Sequence, residues 1–199
     1  MDAAPPPSPA PADLRRALRQ RLVARREAQP AERIATWSAR VCAHLAAAYP
    51  QLAGQRVAFC WPVRNEPDLR PLLATWRAAA LPGFAALLPV VLAPRAPLAF
   101  RAWEADTALV EDRYGIPYPP EGPFVTPEAL LIPVNAFDAA GYRLGYGGGF
   151  FDRTLASLEP RPLAIGVGFE IARVASIAPE AHDVRLDAIV TEAGVSRCT

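Results

Sequence analysis

The sequence predicts an α/β protein: a single-domain, layered, mixed or parallel sheet flanked by helices. Two observations predict it. Short apolar runs fit for buried strands alternate with amphipathic helical segments, and a glycine-rich run leads straight into one of those helices.

Taken in order, Met1 to Ala12 are dominated by Pro and Ala, with neither a charged n-region nor a continuous apolar stretch. They are expected to be a disordered leader (1–12), not a signal peptide or membrane span, ahead of one catalytic-sized domain over 13–199. Leu14, Leu18, Leu22 and Val23 recur at helical spacing among arginines, and Ile34, Trp37, Val41 and Leu45 do so before Pro50. Two amphipathic helices therefore open the domain. Val57 to Trp61 is a short apolar run fit for a buried strand, and Pro67 reads as the start of a helix carrying Leu69, Leu72, Leu73 and Trp76 on one face.

Phe84 to Leu88, Leu98 to Trp103, Leu130 to Val134, Leu163 to Phe169 and Ala188 to Val190 are further strands. The Pro-rich stretch from Tyr114 to Pro127 reads as loop. In such sheets ligands sit beyond the carboxyl ends of the strands, where Trp61 to Glu66, Asn135 to Phe150 and Glu170 onward would fall. No internal repeat is visible.

Composition excludes several classes. Over 199 residues the chain carries 21 basic and 20 acidic residues, a net charge of +1. A nucleic-acid or membrane surface is therefore not the expected partner, and a small molecule is. Cys42, Cys60 and Cys198 are odd in number and lack metal-ligand spacing, which fits reduced thiols in a cytoplasmic protein and argues against zinc. Every basic residue is an arginine; the chain has no lysine.

The segment Arg143 to Arg153, Arg-Leu-Gly-Tyr-Gly-Gly-Gly-Phe-Phe-Asp-Arg, carries the most chemistry. Four glycines in five positions can form a nest of N–H donors around an anion, and the helix from Phe150 would aim its N-terminal dipole at the same anion. A flexible linker is the plainer reading, but linkers do not combine Arg, aromatic residues and Asp. The Walker A loop is excluded because its Gly-Lys-Ser/Thr ending is absent. The dinucleotide fingerprint fails where Phe150 stands in place of a third glycine.

Gly141-Tyr142-Arg143-Leu144-Gly145 through Phe151-Asp152 instead resembles the signature of the 5-formyltetrahydrofolate cyclo-ligase (methenyltetrahydrofolate synthetase) family. Leu130 to Val134 and Ala136-Phe137-Asp138 resemble that family's preceding strand and Phe-Asp turn. The likeness runs from about Leu14 to Gly194, and includes Ile165 to Phe169 and Val190-Thr191-Glu192. It implies an architecture similar to the sugar-phosphate isomerase and CoA-transferase folds. It also implies conversion of 5-formyltetrahydrofolate to 5,10-methenyltetrahydrofolate with ATP and Mg²⁺, releasing ADP and phosphate, in a cytoplasmic monomer that binds a reduced folate.

By the same resemblance, ATP falls to Arg15, Arg16 and Arg19 and to Arg143, Leu144, Gly145, Tyr146, Gly147, Gly148, Gly149, Phe150 and Phe151. The folate falls to Trp61, Glu66, Tyr146, Gly147, Gly148, Gly149 and Phe150. Arg143 and Tyr146 are the catalytic candidates, and Asp152 with Asp183 the metal-associated acids, with Asp187 an alternative that spacing alone does not separate from Asp183. Arg15 stands where the family has lysine, and Phe150 and Phe151 where it has tyrosines. The family's Gln near Ile171 to Arg173 and the Glu of its Gly-Ile-x-Glu-Pro segment are missing.

Each residue also has a plainer reading. Glu66 could be a solvated acid in the first turn of a helix, Trp61 simple core, and Arg16, Arg21 and Arg25 a solvated helix face. Asp152 could be only a first-turn acid, and His182 a polar surface residue. Two other function classes stay open at this stage: a sugar-phosphate isomerase-like enzyme that needs no ATP, and a non-catalytic folate- or nucleotide-binding regulator.

Overall fold

A computed structural model describes residues 11–198. The first ten residues of the expected leader lie outside the described residues, and helix α1 (Pro11–Glu27) begins at the leader's last two positions. The chain continues through α2 (Ala31–Ala48), a 3₁₀ turn (Pro50–Gly54), β1 (Arg56–Ala58), α3 (Arg70–Ala78), β2 (Ala85–Val90), β3 (Ala99–Ala102), β4 (Val110–Glu111), β5 (Pro117–Tyr118) and β6 (Ala129–Pro133). Then follow β7 (Ala136–Phe137), β8 (Arg143–Leu144), α4 (Phe150–Ser157), β9 (Leu163–Val167), a second 3₁₀ turn (Glu170–Ala172), β10 (Ala188–Thr191) and β11 (Gly194–Arg197).

Seven strands form the main sheet in the order β11-β10-β9-β6-β1-β2-β3. The strands from β10 to β2 pair in parallel, and β11 and β3 close the two edges antiparallel. The predicted α/β sheet is therefore present, mainly parallel and flanked by helices.

Alternate residues of each strand face opposite layers, as strand geometry requires. Val57, Phe59, Leu88, Leu131, Ile165 and Val190 pack with Val41 and Leu45 of α2 and Leu73 and Trp76 of α3. Ala58, Leu87, Leu130, Ile132 and Ile189 face the other way, toward Leu155 of α4 and Phe137. A third small cluster, Leu22, Ala136, Leu144 and Ile177, seats α1 on the β7–β8 hairpin. Removing a side chain such as Leu131, 1% exposed, would cost about 2–5 kcal/mol.

Three local expectations need correction. Pro67 does not start a helix; α3 begins at Arg70, with Pro71 in its first turn and the Asp68 carboxylate accepting from the Arg70 amide at 3.0 Å. The stretch from Tyr114 to Pro127 is not all loop, since Pro117–Tyr118 pairs antiparallel with β4. The apolar stripe of α1 is also rotated: Leu14 is 49% exposed, while Arg15 and Arg26 join Leu22 and Val23 on the buried face. Polar partners at both ends of that helix, described below, outweigh its apolar periodicity.

Candidate active site

The sheet has its topological switch between β1 and β6, because the chain runs from β1 outward to β2 and β3 and then returns to the other side of β1. Connections that depart in opposite directions leave a crevice at the carboxyl ends of these strands. A cavity of about 640 Å³ lies there. It is lined after β1 by Cys60, Trp61, Val63, Arg64 and Glu66, and from α1 by Arg15 and Arg19. Arg143 to Asp152 line it continuously, with Tyr114 and the segment bearing Glu180, His182 and Asp183 at its rim.

The glycine run spans the gap between β8 and α4. Gly147 at φ +95° and Gly149 at φ +63° adopt the left-handed backbone that L side chains rarely take, and Gly149 is the N-cap of α4. Among the described residues, no carbonyl or side chain accepts a hydrogen bond from the amides of residues 145–149. These donors, together with the first-turn amides of α4, leave a group of free N–H bonds at one end of the cavity. Arg153 folds back to donate to the Gly148 carbonyl and stacks over Phe150, its guanidinium carbon 5.4 Å from the ring centroid.

Arg19 Nε donates to the Gly145 carbonyl at 2.6 Å, and its terminal nitrogens lie beside Gly147. Burial and the neighbouring Arg15 lower its pKa, which marks a cation short of counter-charge. Arg15 has a partner instead: its guanidinium grips Asp183 at 2.5 and 2.9 Å and donates to Ala178 O at 3.0 Å. Burial works against ionisation of Asp183, but Arg15 and the Glu180 amide hold its carboxyl below the usual range.

Arg143 is buried. It donates to Val184 O at 2.8 Å and to Asp152 Oδ1 at 3.1 Å, and the Val184 amide donates to the same Asp152 oxygen at 3.0 Å.

At the other end of the cleft, Glu66 is 4% exposed and accepts from the Tyr146 hydroxyl at 2.8 Å and from the Val63 amide at 3.1 Å. Burial pushes its carboxyl above the ordinary value while Arg26 opposes the shift. The plain solvated-acid reading of Glu66 is therefore wrong. Tyr146 is 46% exposed as a residue, with the Arg64 guanidinium carbon 6.0 Å from its ring centroid, while its hydroxyl, pushed up by burial and by Glu66, is engaged. Trp61 sits edge-on to Trp103 with ring centroids 6.0 Å apart, and the Arg70 guanidinium lies 4.6 Å from its ring centroid.

Most residues predicted for the site thus converge; three do not. Arg16, with a 68% exposed side chain, pairs with Asp13 away from the cavity, because one residue along a helix turns it about 100° off the buried face. Asp187 pairs with Arg161 at 2.8 Å and caps the Ala164 amide at 2.7 Å, so of the two candidate acids only Asp183 lines the cleft. Glu170 itself binds Arg173 and Thr191 instead of lining the cavity; the part of the segment onward from it that does line the cavity is Glu180, His182 and Asp183.

Sequence reasoning missed Arg26, which is buried against Glu66, and gave no individual role to Asn135, whose Oδ1 accepts from Arg26 at 2.7 Å. The signal was present: Arg15, Arg19 and Arg26 share the helical face of Leu22 and Val23.

Comparison with known proteins matches residues 12–192 to the model of the 5-formyltetrahydrofolate cyclo-ligase family. The chain belongs to that family.

Cyclo-ligase relatives include the 5-formyltetrahydrofolate cyclo-ligase of Escherichia coli strain K12, 31% identical over 175 residues, covering 84% of this chain and 88% of the relative. That of Mycolicibacterium smegmatis is 33% identical over 150 residues, covering 71% and 75%. The NMR structure of Aquifex aeolicus 5,10-methenyltetrahydrofolate synthetase superposes with a TM-score of 0.79 at 27% identity, covering 93% of each chain. A methenyltetrahydrofolate synthetase from Mycoplasma pneumoniae shares the fold at a TM-score of 0.66 and 21% identity, covering 89% of this chain and 98% of that one. The glycine run between β8 and α4 thus belongs to a cyclo-ligase family fold, as its resemblance implied, and the isomerase-like alternative loses its ground.

Proposed function

We propose that this protein uses ATP and Mg²⁺ to convert 5-formyltetrahydrofolate into 5,10-methenyltetrahydrofolate, releasing ADP and phosphate. The observation that carries the reading is the row of unpaired amides at residues 145–149, set at the N-terminus of α4 and opening into the same cleft as Glu66, Tyr146 and Trp61. One end suits phosphates; the other suits a flat, hydrogen-bonding ring system.

A formamide oxygen is a poor leaving group. Transfer of the ATP γ-phosphoryl to that oxygen gives an imidate-like phosphate, the folate N10 attacks the activated carbon, and phosphate leaves. Such chemistry asks the protein for positioning and charge neutralisation and needs no covalent nucleophile. The amides from Gly145 to Gly149 and the Arg19 guanidinium receive the triphosphate. Arg143 holds Asp152 in place from behind, and Phe150 and Phe151 shape the wall. Tyr146 and Trp61 offer ring faces to the folate, and Glu66 accepts from its polar edge.

The donor set fits magnesium sparingly. Both hydrogen bonds of Asp152 use Oδ1, leaving Oδ2 as a cation ligand, whereas Asp183 is committed to Arg15 and would join only if that pair opened. Among the described residues no cluster of three or more acidic, His or Cys ligands exists, which suits an ion that keeps its waters and leans on phosphate oxygens. When bound, the ion would neutralise charge on the phosphates.

Residues 13–199 act as one unit in this reading, as a monomer in the cytoplasm. No helix among the described residues is long and apolar enough to cross a membrane, and the three cysteines are free.

The test mixes purified protein with 5-formyltetrahydrofolate, ATP and Mg²⁺ and follows the near-ultraviolet band of the methenyl product. Growth of the band only with ATP supports the ligase. Binding of either substrate without turnover identifies a regulator.

A further inference from the structure

Arg26 is, with Arg143, one of the two most deeply buried cations of the cleft region, 4% exposed, and neither the family motif nor the proposed chemistry uses it. Its guanidinium spends its donors on three different segments. Nε donates to Arg64 O at 2.9 Å, Nη1 to Asn135 Oδ1 at 2.7 Å and Nη2 to the Tyr146 hydroxyl at 2.9 Å. Nη2 also stands 3.7 Å from Glu66 Oε1. The three acceptors belong to the turn after β1, the turn after β6 and the glycine run. The turns lie on the two sides of the switch crevice, and the glycine run spans its phosphate end.

We propose that Arg26 is a positioning residue for this reaction, a shared donor that fixes Glu66 and Tyr146 relative to the glycine run and so couples folate placement to the phosphate site. The inference rests on the folate and ATP reading given above.

The geometry explains why an arginine serves here. Only a planar fork meets three acceptors lying in different directions, whereas an ammonium is a single point of charge on a flexible stem. The site also dictates a charge. Glu66 is buried against Arg26 of α1, Arg64 of its own turn, the Tyr146 hydroxyl of the glycine run and the Cys60 thiol after β1. Burial disfavours the Glu66 carboxylate, and of these neighbours Arg26 opposes burial most strongly. Without Arg26 the carboxyl would take a proton at higher pH, and the Tyr146 hydroxyl would keep one partner instead of two.

The experiment compares wild type, Arg26→Lys and Arg26→Met. Lysine retains the charge, so that the fold survives if the uncharged variant does not. In the methenyl assay, Arg26→Lys is expected to raise KM for 5-formyltetrahydrofolate about tenfold or more, the loss of fork geometry around charged partners. Arg26→Met is expected in addition to move the acidic limb of the kcat/KM profile to higher pH, while Arg26→Lys leaves that limb near its wild-type position. Combined with Tyr146→Phe, Arg26→Lys should cost less than the product of the two single effects, since both act through one hydroxyl.

Variants that lower only the melting temperature, with KM, kcat, the pH limb and the double-mutant coupling all unchanged, would overturn the inference and leave Arg26 a structural residue. A wild-type protein without turnover instead overturns the proposed function. Calorimetric titration of 5-formyltetrahydrofolate into wild type and Arg26→Lys then decides on Arg26: about tenfold weaker binding by the variant supports it, and equal or absent binding in both removes it.

Discussion

The Tyr146 hydroxyl donates a 2.8 Å hydrogen bond to Glu66 Oε1 across 80 residues of sequence, joining the glycine run to the turn that follows β1. The bond anchors the phenol on the cleft wall, where the residue remains partly exposed. Tyr146→Phe keeps the ring and removes the tether. We expect a native melting profile within about 1 kcal/mol and a KM for 5-formyltetrahydrofolate raised about tenfold. An unchanged KM would take Tyr146 out of the folate site.

Arg19 reaches the glycine run from α1, with its Nε on the Gly145 carbonyl and its terminal nitrogens beside Gly147. Replacing it with Met should raise KM for ATP by about 10- to 100-fold, the worth of a charge-assisted contact, with little effect on KM for the folate. A selective effect on the folate instead would reverse the assignment of the two ends of the cleft.

Asp152→Asn should lower kcat by about 100-fold or more, since it removes a charge placed at the phosphoryl site. Alanine is the less informative change. It would leave Arg143, whose side chain is 4% exposed, without its carboxylate, at a cost of about 3 kcal/mol in stability. Near-normal turnover by Asp152→Asn would remove Asp152 from the mechanism.

A side chain at Gly148 would begin 2.7 Å from Cδ2 of Phe150. Gly148→Val should therefore swing that ring out of the cavity wall and narrow the amide nest, raising KM for ATP about tenfold or more. Equilibrium titration with ATP checks this, and wild-type affinity would count against the nest.

Glu66 gives a pH signature of its own. Burial raises its folded pKa above the unfolded value, against the pull of Arg26, the Tyr146 hydroxyl and the Val63 amide. A carboxyl shifted this way binds its proton more tightly in the folded state. Its contribution to stability is fully present below the unfolded pKa, about 4.3, and is lost as pH rises through the folded pKa. Glu66→Gln removes that loss. The melting temperature of the Gln variant relative to wild type should therefore climb as pH is raised from 4 to 8, while folate turnover falls. A difference independent of pH would mean that Glu66 titrates normally.

Much of this molecule was determined by sequence alone. Apolar runs of the right length gave the strands, because a strand buried on both faces needs a continuous apolar stretch. The glycine run announced itself because unpaired amides and positive φ demand glycine. Local chemistry also placed Asp152 and Phe150 at the start of a helix.

Only the tertiary structure decided which charges belong to the cleft. Arg15 and Arg16 are adjacent and chemically identical, yet α1 buries one against Asp183 and turns the other to solvent. Asp183 and Asp187 lie four residues apart, and the path of the chain into β10 sends the second to Arg161. Arg26 was hidden among 21 arginines. Its meaning depends on Asn135, Glu66 and Tyr146, residues that meet only when the switch between β1 and β6 is built. Helical periodicity says which positions share a face; a buried ion pair is decided by partners that come from far along the chain, where periodicity carries no information.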